Sequence, residues 1–186
     1  MQAILLSAGR GTRFGADKLM HPLADGIPMA LAAARNLLAA LPDVLAVVNG
    51  GNPEFMALLE EMGVGVSVCP DAAQGMGASL AWGVAQTRGA DGWLIALADM
   101  PWIRPETLLA VAETVTGPSV IAAPVYQGRR GHPVAFGRDY GAALMALSGD
   151  EGARRLLAGF AREVVLLTCE DSGVVRDIDL PEGIAG

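Results

Sequence analysis

Cysteine, lysine and long apolar runs are scarce in this chain, and each shortage closes off a class of protein. The two cysteines, Cys69 and Cys169, lie far apart and form no metal-ligand or redox spacing. Two reduced thiols in a cytoplasmic protein are therefore expected. No uninterrupted apolar stretch reaches the roughly 18 residues that a membrane span needs. The first residues run almost directly into Ala3-Ile4-Leu5-Leu6 without a basic leader, so they read as a buried strand, not a signal peptide. Positive charge is also in deficit. A net charge of −7 argues against a nucleic-acid binder, which would carry a basic stripe. Neither nucleic acid nor a membrane is an expected partner.

Lysine is the sharpest shortage. Twelve of the 13 basic residues are arginine, and the single lysine, Lys18, stands in the most glycine-dense loop of the chain. An ammonium is a compact point charge and a guanidinium a flat fork, so the two are not interchangeable. Arg10, Arg13 and Lys18 fall within nine residues. They can build a local positive potential inside an acidic protein, which makes this loop the leading anion site.

The remaining composition is globular: 186 residues, 52% hydrophobic and 18% charged, expected to form one domain over 1–186. Short apolar runs of strand length recur at Ala3–Leu6, Val44–Val48, Val64–Val68, Trp93–Leu97, Val120–Ala123 and Val164–Leu167. Several lack polar alternation, as strands covered on both faces do. Helical stretches separate them. Met29–Leu41 stops at Pro42; Pro53–Met62 has Asn52 as N-cap and Pro53 in its first position; Gly77–Gln86 and Pro105–Val115 follow. Such alternation predicts a three-layer α/β fold, a doubly wound, mostly parallel sheet of Rossmann-like type. After Ala123 the pattern changes. Pro124–Phe136 reads as a β-hairpin insertion around Gln127-Gly128, Tyr140–Leu147 and Glu151–Phe160 as short helices, and Val174–Asp179 as a last strand. Repeats, low-complexity tracts and linkers are absent from the sequence.

Glycine-rich turns after a strand bind phosphates because backbone N–H groups converge there. Two well-known versions fail on spacing. Gly9, Gly11 and Gly15 give G-x-G-x-x-x-G, one residue too long for the dinucleotide fingerprint, and Val47-Val48 runs into Asn49, not an acid. The P-loop requires a hydroxyl after its lysine, and Leu19 follows Lys18.

What fits is L-x-[AG]-G-x-G-x-R-x-G-x-x-K, satisfied from Leu6 to Lys18. With this motif the chain resembles the molybdenum-cofactor nucleotidyltransferases, the MobA/MocA type. Further segments carry the resemblance in order: Gln74-Gly75-Met76-Gly77-Ala78-Ser79-Leu80, Leu97-Ala98-Asp99-Met100-Pro101, Arg130-Gly131-His132-Pro133-Val134, Gly149-Asp150-Glu151-Gly152-Ala153-Arg154 and Asp177-Ile178-Asp179-Leu180-Pro181-Glu182. Together they span essentially the whole chain. The resemblance implies a Mg²⁺-dependent transferase that moves a nucleoside monophosphate onto a phosphorylated acceptor and releases pyrophosphate. It implies CTP as donor in preference to GTP, because the cytidylyl branch carries Ala-Gly where Ala8-Gly9 stands. A molybdopterin-type acceptor is implied, with a molybdenum hydroxylase as the partner receiving the product. Guanylyl transfer, cytidylyl transfer to a sugar or polyol phosphate, and a non-catalytic cofactor chaperone stay open as alternatives.

The resemblance also distributes roles. Arg13 would hold the β- and γ-phosphates and Lys18 the α-phosphate. Leu6, Ser7, Ala8, Gly9, Arg10 and Gly11 would line the nucleotide, joined by Gly75 and Ser79 of the second loop. Ser7 stands where the family commonly has Ala, and Phe14 where Met is usual. Asp99 follows a buried strand, at the edge where open α/β sheets bind ligands, and a lone carboxylate there can hold Mg²⁺ with substrate phosphates. Asp179, or Asp177 beside it, is the candidate second metal ligand; both also fit a polar turn before Pro181. Asn49 and Asp71 are candidate base or ribose contacts, although Asn49 equally fits a strand-end turn. His132 and Asp150 are candidate acceptor contacts; Asp150 also fits an N-cap for the helix that follows.

Overall fold

The structure, a computed structural model, describes residues 1–9, 18–150, 152–161 and 163–178. Its centre is the first predicted strand, β1 (Gln2–Ser7), whose side chains alternate between two buried layers. Helix α1 (Met29–Ala40) carries the chain back to β2 (Val44–Val48), which pairs parallel to β1, and α2 (Pro53–Glu61) leads to β3 (Gly65–Val68), parallel to β2. The predicted start of α2 is present: the Asn52 side chain accepts the Phe55 N–H at 3.0 Å, and Pro53 occupies the first turn, where its missing N–H costs nothing. Helix α3 (Met76–Gln86) then crosses to β4 (Gly92–Leu97), which joins the opposite side of β1.

The order β3-β2-β1-β4 opens a crevice beyond the carboxyl ends of β1 and β4, where the connections leave in opposite directions. Ligands of open α/β sheets bind at such a switch point. The loop from Ala8 and the turn at Asp99 both emerge there, held together by the Ala98 N–H on the Leu6 carbonyl at 3.2 Å.

Past α4 (Pro105–Thr114), the chain forms β5 (Ile121–Tyr126), the two-residue β6 (Arg129–Arg130) and β7 (Val134–Gly137). This is the predicted hairpin excursion, turned at Gln127 and Gly128, both with positive φ. Strand β7 inserts antiparallel between β4 and β5, while β8 (Val164–Thr168) pairs parallel to β5 on the outside. The fold is thus the expected three-layer, Rossmann-like α/β arrangement, mostly parallel with two reversed strands, β7 and the short β6. One core layer lies under α1, α2 and α4, the other under α3 and the later helices.

Three expectations change. Strands β3 and β8, at the two edges of the sheet, are not buried throughout as the central strands are; Leu166 is 57% exposed. The segment from Val174 is no strand: Ser172–Val175 forms a 3₁₀ turn after Asp171, whose carboxylate accepts the Gly173 N–H at 3.0 Å. Asp150 does not cap the following helix. Helices α5 (Gly141–Met145) and α6 (Arg154–Gly159) are shorter than the sequence pattern, and α6 starts after Ala153 without a side-chain cap.

Candidate active site

Two residues from opposite sides of the crevice meet at its mouth. The Lys18 Nζ donates to Asp99 Oδ2 at 2.9 Å, with both side chains largely covered (12% and 27% exposed). Lys18 opens a 3₁₀ turn, Lys18–Met20, anchored by buried Leu19. Asp99 is held from behind, since its carbonyl accepts the Ile178 N–H at 3.1 Å.

The pair borders a chamber of about 510 Å³ beyond the ends of β1 and β4, also lined by Leu6, Ala8, Gly9, Gly75, Ser79 and Asp150. The second glycine loop closes its far wall. Gly75 has φ +113, and a Cβ there would press into the Asp150 carboxylate and the Gly149 carbonyl. At Gly77 a Cβ would lie 2.6 Å from the Ser148 carbonyl, and its N–H bonds to Gly149 O at 2.7 Å. The two glycines let the loop pack directly on residues 148–150, which delivers Asp150 to the cavity.

A second chamber, about 420 Å³, adjoins the first across Leu6, Met76, Leu97 and Asp150. Its floor is apolar, from Leu80, Ile95, Val134, Phe136 and Leu157; its polar wall is Arg130, His132 and Arg154. His132 is fixed through its backbone N–H on Val174 O at 2.8 Å, while its enclosed Nδ1 has no hydrogen-bond partner. Burial holds the imidazole below its ordinary pKa; nearby Asp99 pulls it up and Arg130 pushes it further down. The ring is therefore neutral at pH 7 and can accept or donate through Nδ1, depending on its tautomer.

The sequence-derived candidates separate cleanly. Leu6, Ala8, Gly9, Lys18, Gly75, Ser79, Asp99 and Asp150 share the first chamber, and His132 and Asp150 share the second. Ser7 and Asn49 meet instead at a pocket of about 20 Å³ by the start of α2, with Gly9 common to both spaces. Successive strand residues face opposite ways, which turns Ser7 away from Leu6 and leaves its buried hydroxyl unpartnered. Asn49 ties the loops together, donating to Ala8 O at 3.3 Å and accepting the Gly51 N–H at 2.9 Å. Asp71 is exposed, accepts from Gln74 Nε2 at 2.7 Å and lines neither chamber. Arg10, Gly11, Arg13 and Asp179 lie outside the described residues. Met76 and Leu97 were missed by sequence reasoning as walls common to both chambers; their places inside recognised motifs were the available signal.

Among the described residues no group of three His, Cys, Asp or Glu side chains can hold a metal. A carboxylate opening onto a chamber of this size does fit Mg²⁺, which binds through one or two carboxylates and takes its other ligands from phosphates and water. Asp99 is placed for that, and Asp177 adjoins the residue bonded to its carbonyl.

The crevice at the switch point, with Lys18 facing the strand-end carboxylate of Asp99 at its mouth, is the kind of site that nucleotidyltransferases build. The chain belongs to the family of the MobA-like NTP transferase domain, whose model matches residues 3–165. It is 34% identical to the purine catabolism protein PucB of Bacillus subtilis, over 96% of this chain and 91% of that one. It is 28% identical to the nicotine blue oxidoreductase of Paenarthrobacter nicotinovorans, over 96% and 92%. A crystal structure of Rv0371c from Mycobacterium tuberculosis in complex with manganese superimposes with a TM-score of 0.81 at 26% identity, covering 98% of this chain and 94% of that one. No helix among the described residues is long and apolar enough to cross a membrane.

Proposed function

We propose that the chain, as one domain over 1–186, works in the cytoplasm as a Mg²⁺-dependent cytidylyltransferase. It moves CMP from CTP onto the phosphate of a molybdopterin-type acceptor and releases pyrophosphate. The observation that carries this reading is the pair of adjoining chambers, with Lys18 and Asp99 at the mouth of the first and Arg130, His132 and Arg154 walling the second. A nucleoside triphosphate and an acceptor in these spaces would meet beside Leu6 and Leu97, which line both chambers, as an in-line displacement at the α-phosphate requires.

In this reading the attacking phosphate oxygen bonds to the α-phosphorus as the bond to the β-phosphate bridging oxygen breaks. The N–H groups of the first loop and the Lys18 ammonium stabilise charge on the α-phosphate, and Arg13 holds the leaving pyrophosphate. Mg²⁺, held by Asp99 with Asp179 as second ligand, would neutralise phosphate charge; the manganese-bound relative supports a divalent ion. The Ala8 methyl narrows the base slot and favours cytosine over guanine. Arg130 and Arg154 supply cationic donors for an acceptor phosphate, and the apolar floor suits a flat ring system. A molybdenum hydroxylase is the proposed recipient of the product.

Calorimetry of CTP and GTP with Mg²⁺ tests the base preference, and tighter GTP binding would overturn it. Pyrophosphate release with molybdenum-loaded molybdopterin tests the transfer. Intact nucleotide binding without release for this or any phosphorylated acceptor would point to a cofactor chaperone instead.

A further inference from the structure

Asp171 is the only buried carboxylate among the described residues (4% exposed), and it lines neither chamber. Burying a carboxylate is costly unless its oxygens are satisfied. Both are, by two different parts of the molecule. Oδ2 accepts the Arg104 N–H at 2.9 Å and the Thr107 hydroxyl at 2.8 Å, at the start of α4. Arg104, in the N-cap position, has no side-chain acceptor for its helix, and the Asp171 carboxylate places negative charge at that helix start. Oδ1 accepts the Gly173 N–H and starts the turn that follows.

That turn reaches both halves of the site. The Val174 carbonyl takes the His132 N–H, and the Ile178 N–H bonds to the Asp99 carbonyl. Between them the Arg176 guanidinium lies 3.8 Å over the Trp102 ring. Two glycines permit the approach: a Cβ at Gly131 would collide with Val174 O, and one at Gly173 with Trp102 O. Residues 171–178 therefore form a clasp across the strand-end turn that carries Asp99 and the hairpin that carries His132.

The geometry points to Asp171 as a positioning residue: by fastening this clasp to the start of α4, it fixes the spacing of Asp99 and His132, and so of the two chambers. The inference rests on the two-chamber reading proposed above. Asp171→Asn tests it, because the amide oxygen can still serve Arg104 and Thr107 while the NH₂ group cannot accept from Gly173. Thr107→Val is the control, since it removes one of the two bonds on Oδ2 and leaves Asp171 tied to both the Arg104 N–H and the Gly173 N–H. For each variant, four quantities are read at a temperature where it is folded: Mg·CTP affinity, kcat and acceptor KM with molybdenum-loaded molybdopterin, and the His132 imidazole NMR resonances.

The expected result for Asp171→Asn is CTP affinity within twofold, at least a tenfold loss in kcat/KM for the acceptor, and shifted His132 resonances. Thr107→Val should lower the melting temperature and leave catalysis within twofold and His132 unshifted. Asp171→Asn with wild-type acceptor kinetics and His132 resonances would overturn the inference, as would equal losses in both variants. If the wild type transfers nothing to molybdopterin, the acceptor assignment falls, and the His132 resonances still decide the clasp. If Asp171→Asn does not fold, Gly131→Ala disturbs the clasp without touching α4; unshifted His132 resonances there would equally refute it.

Discussion

Gly75 and Asp150 stand so close that a methyl group on the glycine would take the space of the carboxylate. The contact joins the second glycine loop to residues 148–150 and closes the larger chamber. Gly75→Ala faces a double penalty, an unfavourable positive φ and a collision with backbone and carboxylate together. Strain of this kind costs roughly 1–3 kcal/mol. The variant is expected to melt several degrees lower, by about 4 °C or more, and to bind CTP at least tenfold more weakly by calorimetry.

Lys18→Arg keeps the charge and replaces a point donor with a planar fork. The fold is expected to survive, with a melting temperature near wild type. Turnover should fall more than tenfold, a loss of over about 1.4 kcal/mol. Steady-state kinetics at saturating Mg²⁺ and CTP checks this, and unchanged turnover would remove the ammonium from the α-phosphate.

Asp99→Asn keeps the shape and removes the charge that pairs with Lys18. Two effects are expected together: turnover about a hundredfold lower, roughly 2.7 kcal/mol, and a higher Mg²⁺ concentration for half-maximal rate. A Mg²⁺ titration of the initial rate separates metal binding from general damage, because damage alone would leave the midpoint in place.

His132 gives stability a pH dependence of defined sign. Its folded-state pKa lies below the ordinary imidazole value because of burial, so the unfolded chain binds the proton more readily. The contribution is fully present above the unfolded pKa, near 6.5, and is lost as pH falls through that value towards the folded one. Urea unfolding between pH 7.5 and 5.5 should show stability decreasing with acid, and His132→Asn should flatten that slope.

Ala8→Gly removes the methyl group from the wall of the nucleotide chamber. The ratio of CTP to GTP affinity should fall by about tenfold, within the 1–3 kcal/mol that one methyl can discriminate. Competition calorimetry with both nucleotides reads it directly.

The first half of the chain was legible in the sequence because its signals are local. An apolar run, a glycine loop and a helix start appear at consecutive positions, and β1, β2, β4 and α1–α4 fall close to where the pattern places them. The later half was less legible because its determinants are distant in sequence. Val174-Val175 has the composition of a strand, yet Asp171 bends it into a turn by accepting the Gly173 N–H, and Asp171 is itself held by partners 64 and 67 residues upstream. Asp150 reaches the site because Gly75 leaves room for it, and a helix-cap pattern at residues 149–152 gave no hint of that contact. Ser7 belongs to the recognised loop motif, but strand alternation turns it to the other side of the sheet.

The reversed direction of β7 bears on how such a protein changes its chemistry. A parallel strand would bring its end to the crevice; β7 brings its beginning, so the residues just before it, Arg130 to His132, arrive at the same edge as Asp99. Apart from its pairing with β4, this hairpin is separate from the strands that bear the glycine loop. The buried strand residues Val134 to Phe136 hold the sheet together, whereas the turn before them, Gln127 to His132, can vary without disturbing it; under the proposed function, grafting a relative's turn here is expected to retune what receives the nucleotide.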